Sequence, residues 1–412
     1  GSHPAYFDRI DGHIAVANTA GLQAAGIDMS TKNPEGGKID RDVQNQPTGI
    51  LRETAKDIVT KKIPKPSLTA RRLAIQLALA DAARWGITSV QDNSSWEDFL
   101  VYEEMEASGR LTLRISEWLP FDAPVVLLQK HRSYHSSGDS LLRTAMLKGF
   151  MDGSLGSRTA ALLAPYSDDP GNSGLPQYEQ GKLNRMAEER VAAGFQLGFH
   201  AIGDRAVQMA LDAFADAERY AHENANVRAA NGSASDFRFR VEHAQVVSPA
   251  QLEQFRKLGV IASMQPNHLL TDMNWAMSRL GNERARTSYA WKEFLDHNIH
   301  LAFGTDYPVE PITPFRGLYC AVTRKNESGT KEYVPEQRLT IEQAIAAYTT
   351  GSAYAQFEES EKGRLARGML ADFVVLDRDL TKVPSREILQ TKVLRTVVGG
   401  RQVYEAGPND KG

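Results

Sequence analysis

At 412 residues, 42% hydrophobic and 24% charged, the chain is too long for one small module, and its composition excludes disorder, collagen-like fibre and coiled coil as its main organisation. Lys and Arg number 48 against 51 Asp and Glu, a net charge of −3 with no basic stripe, so nucleic acid is not an expected partner. No apolar run reaches the length of about 20 residues that spans a bilayer, and a single cysteine, Cys320, rules out an intrachain disulfide and suits a reducing, cytoplasmic setting.

In chain order, residues 1–66 read as an irregular segment broken by Gly36-Gly37, Pro47 and Pro64-Lys65-Pro66. A helix is predicted over Leu68–Trp85, stopped by Gly86. Seven short apolar runs follow: Ile87–Asp92, Thr112–Leu119, Thr144–Gly153, Gln196–Gly203, Phe237–Gln245, Val260–Pro266 and His300–Pro308. Amphipathic stretches alternate with them, notably Lys182–Ala193, Asp204–Tyr220, Pro249–Leu258 and Tyr289–His297. Repeated βα units of this kind make a parallel sheet, either doubly wound or closed as a barrel. Seven is one strand short of a closed (β/α)8 barrel, and no eighth strand is legible before Ile87. A last helix is predicted over Thr340–Tyr354, then strands in Gly368–Asp379 and Val393–Glu405. The domains expected are therefore residues 1–66, a barrel over 67–360, and 361–412 as strands of a small sheet.

Parallel α/β folds gather their chemistry at the carboxyl ends of the strands. Those ends carry Lys148, Asp152, His200, His243 and Asp306. Alternation puts His200 on one face with Gly198, Asp306 with Gly304 and Ala302, and His243 with Val241 and Phe239, away from Arg240 and Glu242. Two imidazoles and a carboxylate suit Zn²⁺ or a similar divalent metal, which lowers the pKa of bound water toward about 7. Asp306 is the residue placed to hold that water and relay its proton. A hydrogen-bonded structural histidine is the plainer reading of any one of them; three strand ends together favour a metal site.

The segments FMDGSLGSRTAAL, GFHAIGDRAV, RVEHAQVV, SMQPNHL and FGTDYPVEP resemble the amidohydrolase superfamily, specifically the YtcJ-like metal-dependent hydrolases that include N-substituted formamide deformylases. RIDGHIAVANTAGLQAAGI near the start and GRLARGMLADFVVLD near the end are similar to it too, so the resemblance spans nearly the whole chain. It implies a metal-dependent (β/α)8 TIM-type barrel with a small β-sandwich built from both chain ends. It also implies His200 and His243 as ligands from strands 5 and 6, Asp306 as the strand 8 aspartate, and Lys148 as the strand 4 lysine that some members carry as a metal-bridging carbamate. An ion pair of Lys148 with Asp152 or Asp306 is the competing reading.

One departure is large. The superfamily's first strand supplies a His-x-His pair, and none of the ten histidines here are spaced by two. His131 and His135 differ by four but read as surface residues. The expectation is a chain that begins after strand 1, with a remnant of the sandwich and a barrel edge filled by a complementing N-terminal segment or a second copy. Smaller expectations are substrate contacts from His13, Asp152, Arg158 and His268; for Arg158 an ion pair with Asp168 or Asp169 competes. Cys320 has no base nearby in sequence and is not a candidate nucleophile. The function expected is hydrolysis of a non-peptide C–N bond, in a small amide or formamide, by metal-activated water with one or two Zn ions. The alternative is a truncated, inactive barrel that lacks part of its metal ligands.

Overall fold

The computed structural model describes residues 2–132, 141–224, 226–230 and 232–407, the side chain of Ala145 excepted. Its centre is a seven-stranded sheet, β5 Ser89–Asp92, β6 Arg114–Pro120, β7 Leu142–Phe150, β8 Leu197–Ala201, β9 Arg240–His243, β10 Ile261–Met264 and β11 Leu301–Phe303. They lie side by side in chain order, every neighbouring pair parallel. All seven expected strands are present, each shorter than expected, with β7 beginning two residues earlier and β6 ending one residue later than read. The helices between them form as their end signals dictate. Pro249–Leu258 starts at a Ser248–Gln251 capping box with Pro249 in its first turn, and stops where Gly259 turns left-handed at φ 61°.

β5 and β11 are the edges, and no ladder joins them among the described residues. They are linked through one residue instead: Ser352 Oγ donates to Phe303 O of β11 at 2.8 Å, and Ser352 O accepts Gln91 Nε2 of β5 at 3.1 Å. The outer face of β8 sinks Leu197 and Phe199 into the main core, where Phe199 stacks on Phe214 and meets Phe121 edge-on. Inside the curl, Arg240 pairs with Glu242 and reaches Ser263 Oγ and Gln91 Oε1, with its guanidinium over Trp118. This charged layer forms the floor beneath the strand ends.

Residues 1–66 are not irregular, which corrects the sequence reading. Four antiparallel strands, β1 Tyr6–Asp8, β2 Ile14–Ala17, β3 Gly37–Arg41 and β4 Pro47–Glu53, form a sheet in the order β1-β2-β4-β3. The expected breakers Gly37 and Pro47 are the first residues of β3 and β4, where a missing N–H or side chain does least harm. This sheet rests on the loop after β7: Arg52 donates to Ser157 O, and Ser154 and Ser157 both donate to Asp11.

At the other end, Val393–Glu405 is a hairpin rather than one strand. β13 Val393–Val398 and β14 Arg401–Glu405 turn at Gly399-Gly400, both at positive φ, and β12 Phe373–Leu376 adds a third strand. A buried Arg114–Asp372 pair fixes this sheet to β6. The predicted helix Thr340–Tyr354 is interrupted by a π-helical segment over Ala347–Gly351, the element that carries the chain to Ser352.

Candidate metal centre

His200, His243 and Asp306 come from three strand ends on one side of the curl. On β8, His200 shares the inner face with Gly198, while Leu197 and Phe199 face the core. On β9 the alternation argument fails. Arg240 and Glu242 point inward and Val241 outward, so parity would send His243 outward with Val241. The backbone turns left-handed there instead, with φ 76° at His243 and 42° at Ala244, and swings the imidazole back toward the site. Asp306 is left-handed as well, at φ 57°. Such conformations cost side-chain-bearing residues energy and persist where the surrounding fold enforces them, as at functional sites.

The ring centroids of His200 and His243 are 4.6 Å apart, and those of His243 and His268 are 5.6 Å apart and near parallel. Ligating atoms of His243, His268 and Asp306 all lie within 4.8 Å of one another. His243 Nδ1 sits 2.7 Å from Gln265 Oε1, so Nδ1 carries the proton and the Nε2 lone pair is left for the site. Burial holds the His243 imidazole well below its usual pKa, helped by the charge of His200, and burial lowers His200 too. Neutral imidazole is the ligating form.

His268 behaves differently. It is raised despite its burial, because Asp306 lies beside it. Its Nε2 is 3.3 Å from Asp306 Oδ2, yet buried and out of line for any hydrogen bond. For Asp306 burial acts upward, but His268, His243 and Lys148 outweigh it and keep the carboxylate ionised far below the usual range. An ionised carboxylate and a neutral imidazole are donors that fit a divalent cation, and His268 lies beside them with its Nδ1 3.3 Å from Gln245 Nε2.

The remaining expected residues fall around this group. His200 stands next to it with Nε2 turned to Gly153 O at 3.1 Å and Asp152 Oδ1 at 3.4 Å. Lys148 Nζ lies inside the curl over the rings of Trp118 and Phe150, and burial lowers its pKa. Asp152 is fully buried and accepts the backbone N–H groups of Ala161, Ile202 and Gly203 at 2.8–3.0 Å. It is therefore a loop clamp rather than a substrate contact or a partner for Lys148. Arg158 makes a two-pronged pair with Asp168, its competing reading.

His13 reaches the site from the N-terminal sheet, with its ring centroid 4.9 Å from that of His200 and its Nδ1 2.9 Å from Glu53 Oε2. Burial pushes its pKa down, and the Glu53 hydrogen bond and charge more than restore it. His131 is half-buried and stacks on Trp96, and His135 lies outside the described residues. Cys320 is buried, its thiol pushed up to about 12 by burial, which agrees with its dismissal as a nucleophile.

Sequence reasoning placed His268 in the pocket but not among the ligating atoms, and it missed Gln265 and Glu53. The signal for the first two was Gln265-Pro266-Asn267-His268. Pro266 starts a short helix directly at the end of β10, and that helix folds His268 back over the strand ends.

The chain matches the model of the amidohydrolase family over residues 1–404. It is 35% identical to Protein LONG AFTER FAR-RED 3 of Arabidopsis thaliana, covering 98% of this chain and 69% of that protein. It is 31% identical to the putative amidohydrolase YtcJ of Bacillus subtilis (98% and 74%) and 25% identical to N-substituted formamide deformylase of Arthrobacter pascens (95% and 72%). The crystal structure of an uncharacterized metal-dependent hydrolase from Pyrococcus horikoshii superposes with a TM-score of 0.73 at 30% identity, over 93% of this chain and 73% of that one. With a parallel α/β sheet and these strand-end residues, the chain belongs to the amidohydrolase family, on its YtcJ-like branch.

Proposed function

We propose that this protein hydrolyses a non-peptide C–N bond in a small amide or formamide with the help of a divalent metal, zinc by preference. The observation that carries the reading is the convergence of His243, His268 and Asp306 within 4.8 Å. The formamide deformylase among its relatives supports the bond type. His243 and Asp306 would hold the ion, with His200 beside them and Lys148 available as a second-metal bridge if carbamylated. Bound there, a divalent ion supplies a Lewis acid and lowers the pKa of water.

The chain's own residues do the rest. Asp306, kept ionised, accepts a proton from the attacking water and returns it to the nitrogen as the C–N bond breaks, giving a carboxylate and an amine. His268 stands 3.3 Å from that carboxylate and favours its charged form by proximity, and His13 faces the substrate from above. The open edges β5 and β11 are where we place the complementing segment or second copy expected from the sequence.

A second reading, a catalytically silent barrel, is favoured by one observation: His200 Nε2 is turned to Gly153 O and Asp152, and no His-x-His pair is present to compensate. Metal analysis after equilibration with Zn²⁺ separates the two. The expected result is one or two equivalents bound, with affinity reduced about 100-fold or more in His243→Ala, since even partners behind a ligand are worth about 10- to 100-fold. Binding below about a tenth of an equivalent, unchanged by the substitution, would count decisively for the silent barrel.

A further inference from the structure

We propose that Glu53 is a positioning residue that fixes the His13 imidazole, by its Nδ1, for contact with the substrate. The inference rests on the hydrolase reading for what His13 touches, but not for what Glu53 does. Glu53 ends β4 with φ 51° and ψ −130°, a backbone conformation that residues with a Cβ rarely adopt. Its own N–H donates to His13 O at 3.0 Å, so the two residues are tied by backbone as well as by side chain.

The carboxylate is buried, with one oxygen 2.9 Å from His13 Nδ1 and the other, Oε1, without any hydrogen-bond partner. Burying a half-satisfied carboxylate on a strained backbone lowers stability. A residue retained for the fold alone would not be arranged this way.

The neighbour makes room for it. A Cβ on Gly153 would lie 1.9 Å from Glu53 Oε1, and the same Gly153 accepts His200 Nε2 through its carbonyl. The contact chain thus runs from Glu53 to His13, whose ring stands 4.9 Å from His200. A carboxylate on Nδ1 sets both the plane and the tautomer of an imidazole, leaving Nε2 facing the site. His13 comes from a sheet separate from the barrel, and the Glu53 hydrogen bond to Nδ1 is the contact that selects its tautomer.

The test uses the full chain labelled with ¹⁵N-histidine, the His13 signals being assigned by their loss in His13→Gln. The wild-type neutral ring is expected to carry its proton on Nδ1. In Glu53→Gly, which suits positive φ, the Nε2–H tautomer is expected to dominate while the melting temperature stays level or rises. Zinc content should not change, and kcat on a formanilide probe should fall about 10- to 100-fold with KM nearly unmoved. Glu53→Gln, which keeps the shape without the charge, should fall between.

A lower melting temperature with an unaltered tautomer in both variants would overturn the proposal and make Glu53 a structural strut. An altered tautomer with unchanged kcat on a cleaved probe would overturn the substrate contact. If the wild type cleaves no amide, the hydrolase reading fails by itself, and the tautomer and melting temperature still decide the role of Glu53.

Discussion

The middle of the central sheet and its β5 edge are built to different standards. Every residue of β8, β9 and β10 is buried, whereas all four residues of β5 are only half buried. Behind β8 stand stacked aromatics; before β5 stands the helix Leu68–Arg84, whose Leu73 and Leu77 are 57% and 63% exposed. The candidate metal centre draws His200 and His243 from the well-packed strands, while Asp306 follows the edge strand β11 and is 39% exposed. The strained conformation at His243 needs a frame that does not yield, and the buried strands supply one.

The largest effect that would test this contrast is on stability. Phe199→Ala removes a fully buried ring and should destabilise the fold by about 3–5 kcal/mol, while Val90→Ala on β5 should cost about 1 kcal/mol or less. Chemical denaturation measures both, and equal losses would abolish the distinction between the sheet's middle and its β5 edge.

A middle-sized effect concerns pH. On the β5–β6 side the Glu117 carboxyl is pushed up to about 9, first by burial and then by the charge of Asp92 paired opposite it. Unfolded, it titrates near 4.5. Between those values the native state holds a proton that the unfolded state releases, so this group's contribution to stability is full below about 4.5 and is lost as pH rises toward 9. Melting temperatures from pH 5 to 9 should decline less steeply in Glu117→Gln than in the wild type. Parallel slopes would show that Glu117 is not protonated in the fold.

The smallest effect sharpens the picture of the exposed helix. Leu77→Lys should change stability by no more than about 0.5 kcal/mol. A drop of several degrees in melting temperature, or a change in sedimentation, would reveal that a second copy covers this face.

The βα alternation was legible because each strand is a short apolar run followed by a stop signal, and seven runs became seven strands. The N-terminal sheet was not, because its strands are short and two of them, β3 and β4, start at the glycine and proline that read as breakers. The Gly399-Gly400 turn was visible in sequence but was passed over inside a longer apolar run. Site residues fixed by strand alternation, such as His200, could be placed from sequence. His243 reached the site through a local left-handed turn that alternation contradicts, and Glu53 through a contact between elements about 100 residues from Gly153. Neither has a signature in local pattern.

The carboxylate of Asp152 has a mechanical consequence. By holding Ala161 from one loop and Ile202 and Gly203 from the next strand's exit, it welds two walls of the cavity into one stiff part. Flexing either loop would strip a buried anion of amide donors. A bulky guest therefore gains no room from that quarter, and the N-terminal sheet, seated on the loop after β7 through the side chains of Asp11 and Arg52, is a separate part of the mouth.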